Sequence, residues 1–215
     1  MALKRIIFVS TGRCGTKRLY EILNNYVSKD FYVCHQMKFS RITNVLGTLC
    51  VMWNSLHFPL LYKIIIRVNL RKEVPFITTD PLSSMLLPNE YIHSASTAII
   101  HLYRSDESFA KSIFQLSRSR RLSFIAHNLI PFWQPLLWPL ENLLNKEVLV
   151  KYERINRLKN DFFFKRYGRN PHYRQIYYKE IFEKEKLESL INELTGQKIN
   201  IPDKVLSKKS NESKR

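Results

Sequence analysis

The sequence predicts an α/β domain in three layers, with a mostly parallel central sheet and helices on both of its faces. Three observations predict it. Short apolar, β-branched runs recur at 5–10, 31–34, 74–79, 97–103 and 147–152, each the length of a strand buried on both faces. Stretches with apolar residues at helical spacing lie between and after them. Alternation of the two at these lengths calls for crossover helices, and those cover both faces of a parallel sheet.

Arg5-Ile6-Ile7-Phe8-Val9-Ser10 opens the sheet and leads through Thr11-Gly12-Arg13-Cys14-Gly15 into a helix at 16–27, where Leu19, Tyr20, Leu23 and Tyr26 fall at helical spacing. The second strand, 31–34, ends at His35. Residues 42–62 contain no Asp, Glu, Lys or Arg. They have the length of a membrane span, but Asn44, Asn54, His57 and Pro59 suit one poorly. A buried or substrate-covering helix is the first reading, and a peripheral membrane contact through 42–62 the second. The third strand, 74–79, stops before Asp80-Pro81, and the fourth, 97–103, stops at Arg104. Ser105 or Asp106 then caps a helix at 107–116 carrying Phe109, Ile113 and Leu116. Pro131, Pro135 and Pro139 break 122–144. A fifth strand at 147–152 ends in Tyr152-Glu153, and a helix at 179–194 carries Ile181, Leu187, Leu190 and Leu194. The chain reads as a single domain, 1–203, with a basic flexible tail, 204–215.

Composition narrows the classes. With 215 residues, 45% apolar and 13% aromatic, the chain is neither disordered nor fibrous. A net charge of +17 points to anionic partners: nucleic acid, a membrane surface or small polyanions. The basic residues are spread rather than blocked, and no nucleic-acid-binding signature is present, so no specific nucleic acid is expected. Cys14, Cys34 and Cys50 form no Cys-x-x-Cys pair, which argues against a disulfide framework and against a zinc site. The apolar run at 6–9 is too short for a signal peptide. A reducing, cytoplasmic location is the expectation, with membrane association through 42–62 as its variant.

Two motifs carry chemistry. Strand, Gly-containing turn and helix at 5–27 aim backbone N–H groups and a helix N-terminus at one spot, where an anion is favoured. Arg13 and Lys17 add charge, and Gly12 and Gly15 let a phosphate approach the backbone. Only Arg13 and Cys14 separate the two glycines, so this is not a Walker A loop. The second motif places Arg104 at a strand end with Ser112 in the next helix, suitable for a second phosphate.

In this order, Gly12-Arg13-Cys14-Gly15-Thr16, Arg104 with Ser112, and Tyr152-Glu153-Arg154-Ile155 resemble the sulfotransferase family that uses 3′-phosphoadenylyl sulfate (PAPS). The resemblance covers roughly 5–155. It implies a P-loop-NTPase-like topology, with nucleotide bound by Arg13, Cys14, Gly15, Thr16, Lys17, Arg104, Ser112 and Tyr152. It also implies PAPS as cosubstrate, no metal, and a small-molecule, glycan or lipid acceptor. Cys14 stands where the family usually has Ser. Arg166-Tyr167-Gly168-Arg169 is only a weak stand-in for the family's late Arg-Lys-Gly segment.

Sulfuryl transfer, like phosphoryl transfer, is catalysed mainly by positioning and cationic stabilisation, a task for Arg13, Lys17 and the loop amides. The acceptor hydroxyl needs a base. His35 is the candidate, against a reading as a packed residue, and Asp80 is the reserve, against a reading as a turn former. Trp53, Phe58, Phe132, Trp133 and Trp138 line an acceptor pocket or pack the core. Two rivals stand beside this reading. A P-loop-type nucleotide kinase would need a Walker spacing that is absent, and a basic nucleic-acid-binding module would draw on the charge.

Overall fold

The computed structural model describes residues 3–27, 30–38, 40–52, 59–69, 74–119 and 145–207. Its centre is a parallel sheet of β1 (Arg5–Ser10), β2 (Tyr32–Cys34), β3 (Phe76–Thr78), β4 (Thr97–Tyr103) and β5 (Tyr173–Tyr177), in the order β2-β3-β1-β4-β5. Strand direction is uniform, so every carboxyl end lies on one edge. The strand order reverses at β1, and in such sheets the crevice beyond that point is where ligands collect.

Alternation along β1 explains the layers. Ile6 and Phe8 face one side, with Ile100 and Leu102 of β4, and are covered by α1 (Thr16–Tyr26) and α7 (Lys184–Thr195). Ile7 and Val9 face the other side with Ile99. There they meet Cys50 of α2 (Ser40–Met52), Tyr62 and Ile65 of α3 (Pro59–Asn69), and Phe162, Phe163 and Tyr167 of α6 (Asn145–Tyr167). The α/β expectation holds, with the sheet wholly parallel. A short α4 (Asn89–Ile92) precedes β4, α5 (Asp106–Ser119) follows it, and α8 (Asp203–Ser207) closes the described chain. Val205 and Leu206 of α8 pack on the core, so the first residues of the expected tail at 204–215 are helical.

One element is corrected. Residues 147–152 are not a strand but an early part of α6. Val148 and Tyr152 are buried, whereas Val150 between them is 63% exposed. Burial at i and i+4 is a helical pattern; a strand would bury i, i+2 and i+4 alike. The fifth strand is β5, a segment the sequence reading left unassigned. The expected helix at 179–194 also starts later, after a 3₁₀ turn at Glu180–Phe182. Ser105 caps α5, accepting the Phe109 N–H through its carbonyl at 2.9 Å.

The apolar stretch at 42–62 divides between α2 and α3. No helix among the described residues is long and apolar enough to cross a membrane. The expectation for 122–144, and with it Trp53, Phe58, Phe132, Trp133 and Trp138, lies outside the described residues.

Candidate functional site

At the carboxyl end of β1 the chain turns through three left-handed residues: Gly12 (φ 95°), Arg13 (φ 57°) and Gly15 (φ 73°). A side chain at φ > 0 is uncommon, and such strained residues gather where ligands are held. Gly15 is favoured as glycine by its positive φ, and a Cβ there would also force the tip of the Phe182 ring, 2.5 Å away, to shift. The Gly12 N–H donates to the Ser10 hydroxyl at 3.2 Å. No side chain caps α1, which starts immediately after Gly15. Its first-turn N–H groups have no acceptor within the helix, so the positive end of α1 opens at the turn. Thr16 is buried there and Lys17 is exposed.

The second motif folds onto the first. Arg13 donates from Nε to the Ser112 hydroxyl at 3.1 Å, and Arg104 donates from Nη1 to the Arg13 carbonyl at 2.8 Å. The Arg104 Nε reaches the Ser108 hydroxyl at 2.8 Å, and its guanidinium lies 4.6 Å from the centre of the Tyr178 ring. An arginine held by an aromatic face and two hydrogen bonds is preorganised, so less rotamer entropy is lost when it meets an anion. Arg13, Arg104 and Ser112 are therefore brought together beside the N-terminus of α1.

Cys14 points inward. It is fully buried, its thiol donates to the Gly12 carbonyl at 3.3 Å, and burial pushes its pKa up to about 12 against the opposing pull of Arg104. The group is a neutral structural donor rather than a nucleophile. Cys14→Ser should keep that hydrogen bond. Ligand affinity of the variant should stay within about tenfold of wild type, roughly 1.4 kcal/mol. Calorimetry with adenosine 3′,5′-bisphosphate checks it, and a larger loss would give the sulfur a role of its own.

His35 follows β2 on the same edge of the sheet. Its Nδ1 lies 3.0 Å from both the carbonyl and the hydroxyl oxygen of Thr79, and its ring stacks on Tyr20 of α1 at 5.8 Å. A carbonyl only accepts, so Nδ1 carries the proton and Nε2 keeps its lone pair. Nε2 makes no hydrogen bond with the described residues. Burial lowers the His35 pKa, Thr79 opposes it, and the charge of Lys17 lowers it further. Asp80 is buried, and its carboxylate accepts from the Leu82 N–H at 2.9 Å and the Ser83 hydroxyl at 3.2 Å. Burial raises its pKa to about 6. Both of its oxygens are engaged in holding the turn after β3.

Tyr152 is placed elsewhere. It does not end a strand: on α6 it is buried with Val148, Ile155 and Ala110 of α5. The segment that does follow the fifth strand is Tyr178-Lys179-Glu180-Ile181. Tyr178 lies against Arg104, Ile181 and Phe182 close on Gly15, and the Glu180 carboxylate accepts the Tyr177 N–H at 3.1 Å. The signal in the sequence is weaker than a repeat: Tyr178-Lys179-Glu180-Ile181 follows the run Tyr173-Arg174-Gln175-Ile176-Tyr177 but carries its acid one place later than Tyr152-Glu153-Arg154-Ile155 does.

Asn156 carried no sequence signal at all. Buried on α6, it accepts from the Thr11 hydroxyl at 2.7 Å and donates to the Arg104 carbonyl at 3.0 Å and to Asp106 at 2.7 Å. It ties the loops after β1 and β4 into one unit. Among the described residues no group of three or more His, Cys, Asp or Glu side chains is arranged to hold a metal ion. Comparison of the chain with family models, with curated proteins and with solved structures finds no match.

Proposed function

We propose that this chain transfers the sulfuryl group of PAPS to a hydroxyl or amine of an acceptor. The observation that carries the reading is the convergence of Arg13, Ser112, Arg104 and Tyr178 on the glycine turn that opens α1. Such an edge offers two anion-binding features: helix N–H groups with Lys17, and an arginine–serine pair. A nucleotide carrying both a 5′-phosphosulfate and a 3′-phosphate calls for both. PAPS supplies the activated sulfuryl group.

The side chains have separable tasks. Arg13, Lys17 and the amides of Gly15 and Thr16 stabilise charge on the transferring group and on the departing phosphate. Arg104 and Ser112 read the 3′-phosphate. His35, whose Nε2 is unengaged among the described residues, takes the acceptor proton as the neutral imidazole. A kinase reading would need a strand-end carboxylate available to a metal, and the engagement of both Asp80 oxygens in its own turn favours the sulfuryl reading.

Thermal shift tests the proposal: adenosine 3′,5′-bisphosphate without metal should raise the melting temperature. Stabilisation by ATP with Mg²⁺, or by an oligonucleotide alone, would replace the reading with a kinase or a nucleic-acid binder. Arg104→Ala should weaken adenosine 3′,5′-bisphosphate by about 10–100-fold more than adenosine 5′-phosphate. A charge-assisted contact is worth about 1.5–3 kcal/mol. Equal losses in calorimetry would show that Arg104 only braces the turn through the Arg13 carbonyl.

A further inference from the structure

Lys159 is a buried lysine that the proposed chemistry leaves unused. It is 4% exposed, and no hydrogen bond or charge among the described residues acts on its ammonium beside burial. Burial alone lowers its pKa, to about 8, and no neighbouring charge enters. Lysine is almost never buried unless paired.

Its position in α6 is defined by its neighbours. Asn156 stands three residues before it and meets Thr11 and Arg104, while Asn160, next in sequence, bonds His101 of β4 at 2.9 Å. The N-terminal direction of α6 is therefore the direction of the sheet's carboxyl edge. Helical side chains lean toward the helix N-terminus, so the ammonium rises from the level of His101 toward that of Thr11. Phe162, three residues on, packs in the cluster with Cys50 of α2, which puts this row of α6 on the α2 side. The α2 helix buries Thr43, Asn44 and Thr48.

The side of the sheet matters. α1 covers the Ile6–Phe8 face, whereas α6 covers the Ile7–Val9 face. Lys159 thus approaches the edge from the face opposite the helix whose N-terminus would hold the nucleotide.

We propose that Lys159 forms a buried oxyanion site between α2 and α6 and that the acceptor is itself anionic, presenting a carboxylate, phosphate or sulfate to this ammonium. The burial of Lys159 and its place on α6 are structural observations; the site is inferred from them, and its occupation by an acceptor rests on the sulfuryl-transfer reading.

The experiment is calorimetry on the full chain, wild type against Lys159→Met and Lys159→Gln, at constant ionic strength. The probes are inorganic sulfate, adenosine 3′,5′-bisphosphate, PAPS, and sulfate added to protein saturated with the bisphosphate. Sulfate should bind saturated wild type at least tenfold more tightly than either variant, while the bisphosphate binds all three within about twofold. Equal sulfate affinity in wild type and variants overturns the site. If the variants lose instead the advantage of PAPS over the bisphosphate, the ammonium meets the cofactor's own sulfuryl group and the anionic acceptor is overturned. If the bisphosphate fails to bind wild type, the sulfuryl-transfer reading falls, and the arm with sulfate alone still decides the oxyanion site. Should either variant not fold, [¹³C]lysine-labelled wild type gives the answer: a buried ε-methylene resonance should move on sulfate addition, and its immobility overturns the site.

Discussion

His35→Ala should lower the turnover number by roughly 10²–10⁴-fold, the contribution of a positioned base, while leaving affinity for adenosine 3′,5′-bisphosphate nearly unchanged. In the proposed reaction the imidazole acts on the acceptor proton, and no hydrogen bond among the described residues joins it to the Gly12–Gly15 turn, so its loss should fall on the transition state rather than on nucleotide binding. Two contacts make the expectation specific. The Thr79 carbonyl 3.0 Å from Nδ1 fixes the tautomer with its lone pair on Nε2, and Tyr20 fixes the ring plane. Burial and Lys17 hold the pKa below its ordinary value, so the neutral form persists to lower pH than for a free histidine. Activity that needs neutral imidazole is lost as pH falls through that lowered pKa. The acidic limb of the wild-type rate profile should therefore lie below ~6.5 and vanish in the variant. Steady-state kinetics from pH 5 to 8 checks both. A variant with near-normal turnover moves the base elsewhere, and Asp80→Asn is the next substitution, although a carboxylate engaged by Leu82 and Ser83 must first leave its turn. A variant that loses nucleotide affinity or fails to fold would make His35 a packing residue stacked on Tyr20.

What the sequence disclosed and what it hid follow from the range of the interactions. β1, the turn and α1 were legible because their signals are local: a β-branched run, two glycines within a few residues, then apolar residues at helical spacing. The pairing of Arg104 with the first loop was legible as two sequence patterns, though not as the Arg13–Ser112 and Arg104–Arg13 hydrogen bonds that join them. The segment at 147–152 misled because Val148, Val150 and Tyr152 read as a strand locally. Packing of Val148, Tyr152 and Ile155 against Ala110 decided for a helix. β5 was missed because a strand at the sheet's far edge need not be apolar throughout; Arg174 and Gln175 are exposed. Asn156 and Lys159 were invisible because their meaning lies in burial, and burial is a property of the assembled layers.

Lys159→Met should stabilise the protein at neutral pH, the reverse of the usual effect of a substitution in the core. The folded-state pKa of Lys159, about 8, lies below the ordinary 10.5. Between these values the unfolded chain binds a proton that the folded chain does not, so wild-type stability falls as pH falls from 10.5 to 8. Below 8 the penalty is complete and constant, roughly 3 kcal/mol at 1.36 kcal/mol per pKa unit. Methionine fills nearly the same volume without the charge and should recover most of it. Burial holds His101 near 4 and Asp80 near 6, below this window. The Cys50 thiol and the Tyr167 phenol, which burial raises above their ordinary values, do titrate across it, but wild type and variant share them and they cancel in the difference. Urea denaturation at pH 7 should give a variant more stable than wild type by about 2–3 kcal/mol, and the difference should shrink toward zero at pH 10.5. A variant less stable than wild type at pH 7 would mean that the ammonium has a partner in the folded chain. An anion that satisfies the ammonium changes the comparison in a defined direction. Added sulfate should close the gap at pH 7 by stabilising wild type alone, because only a folded state that binds the ligand gains from it.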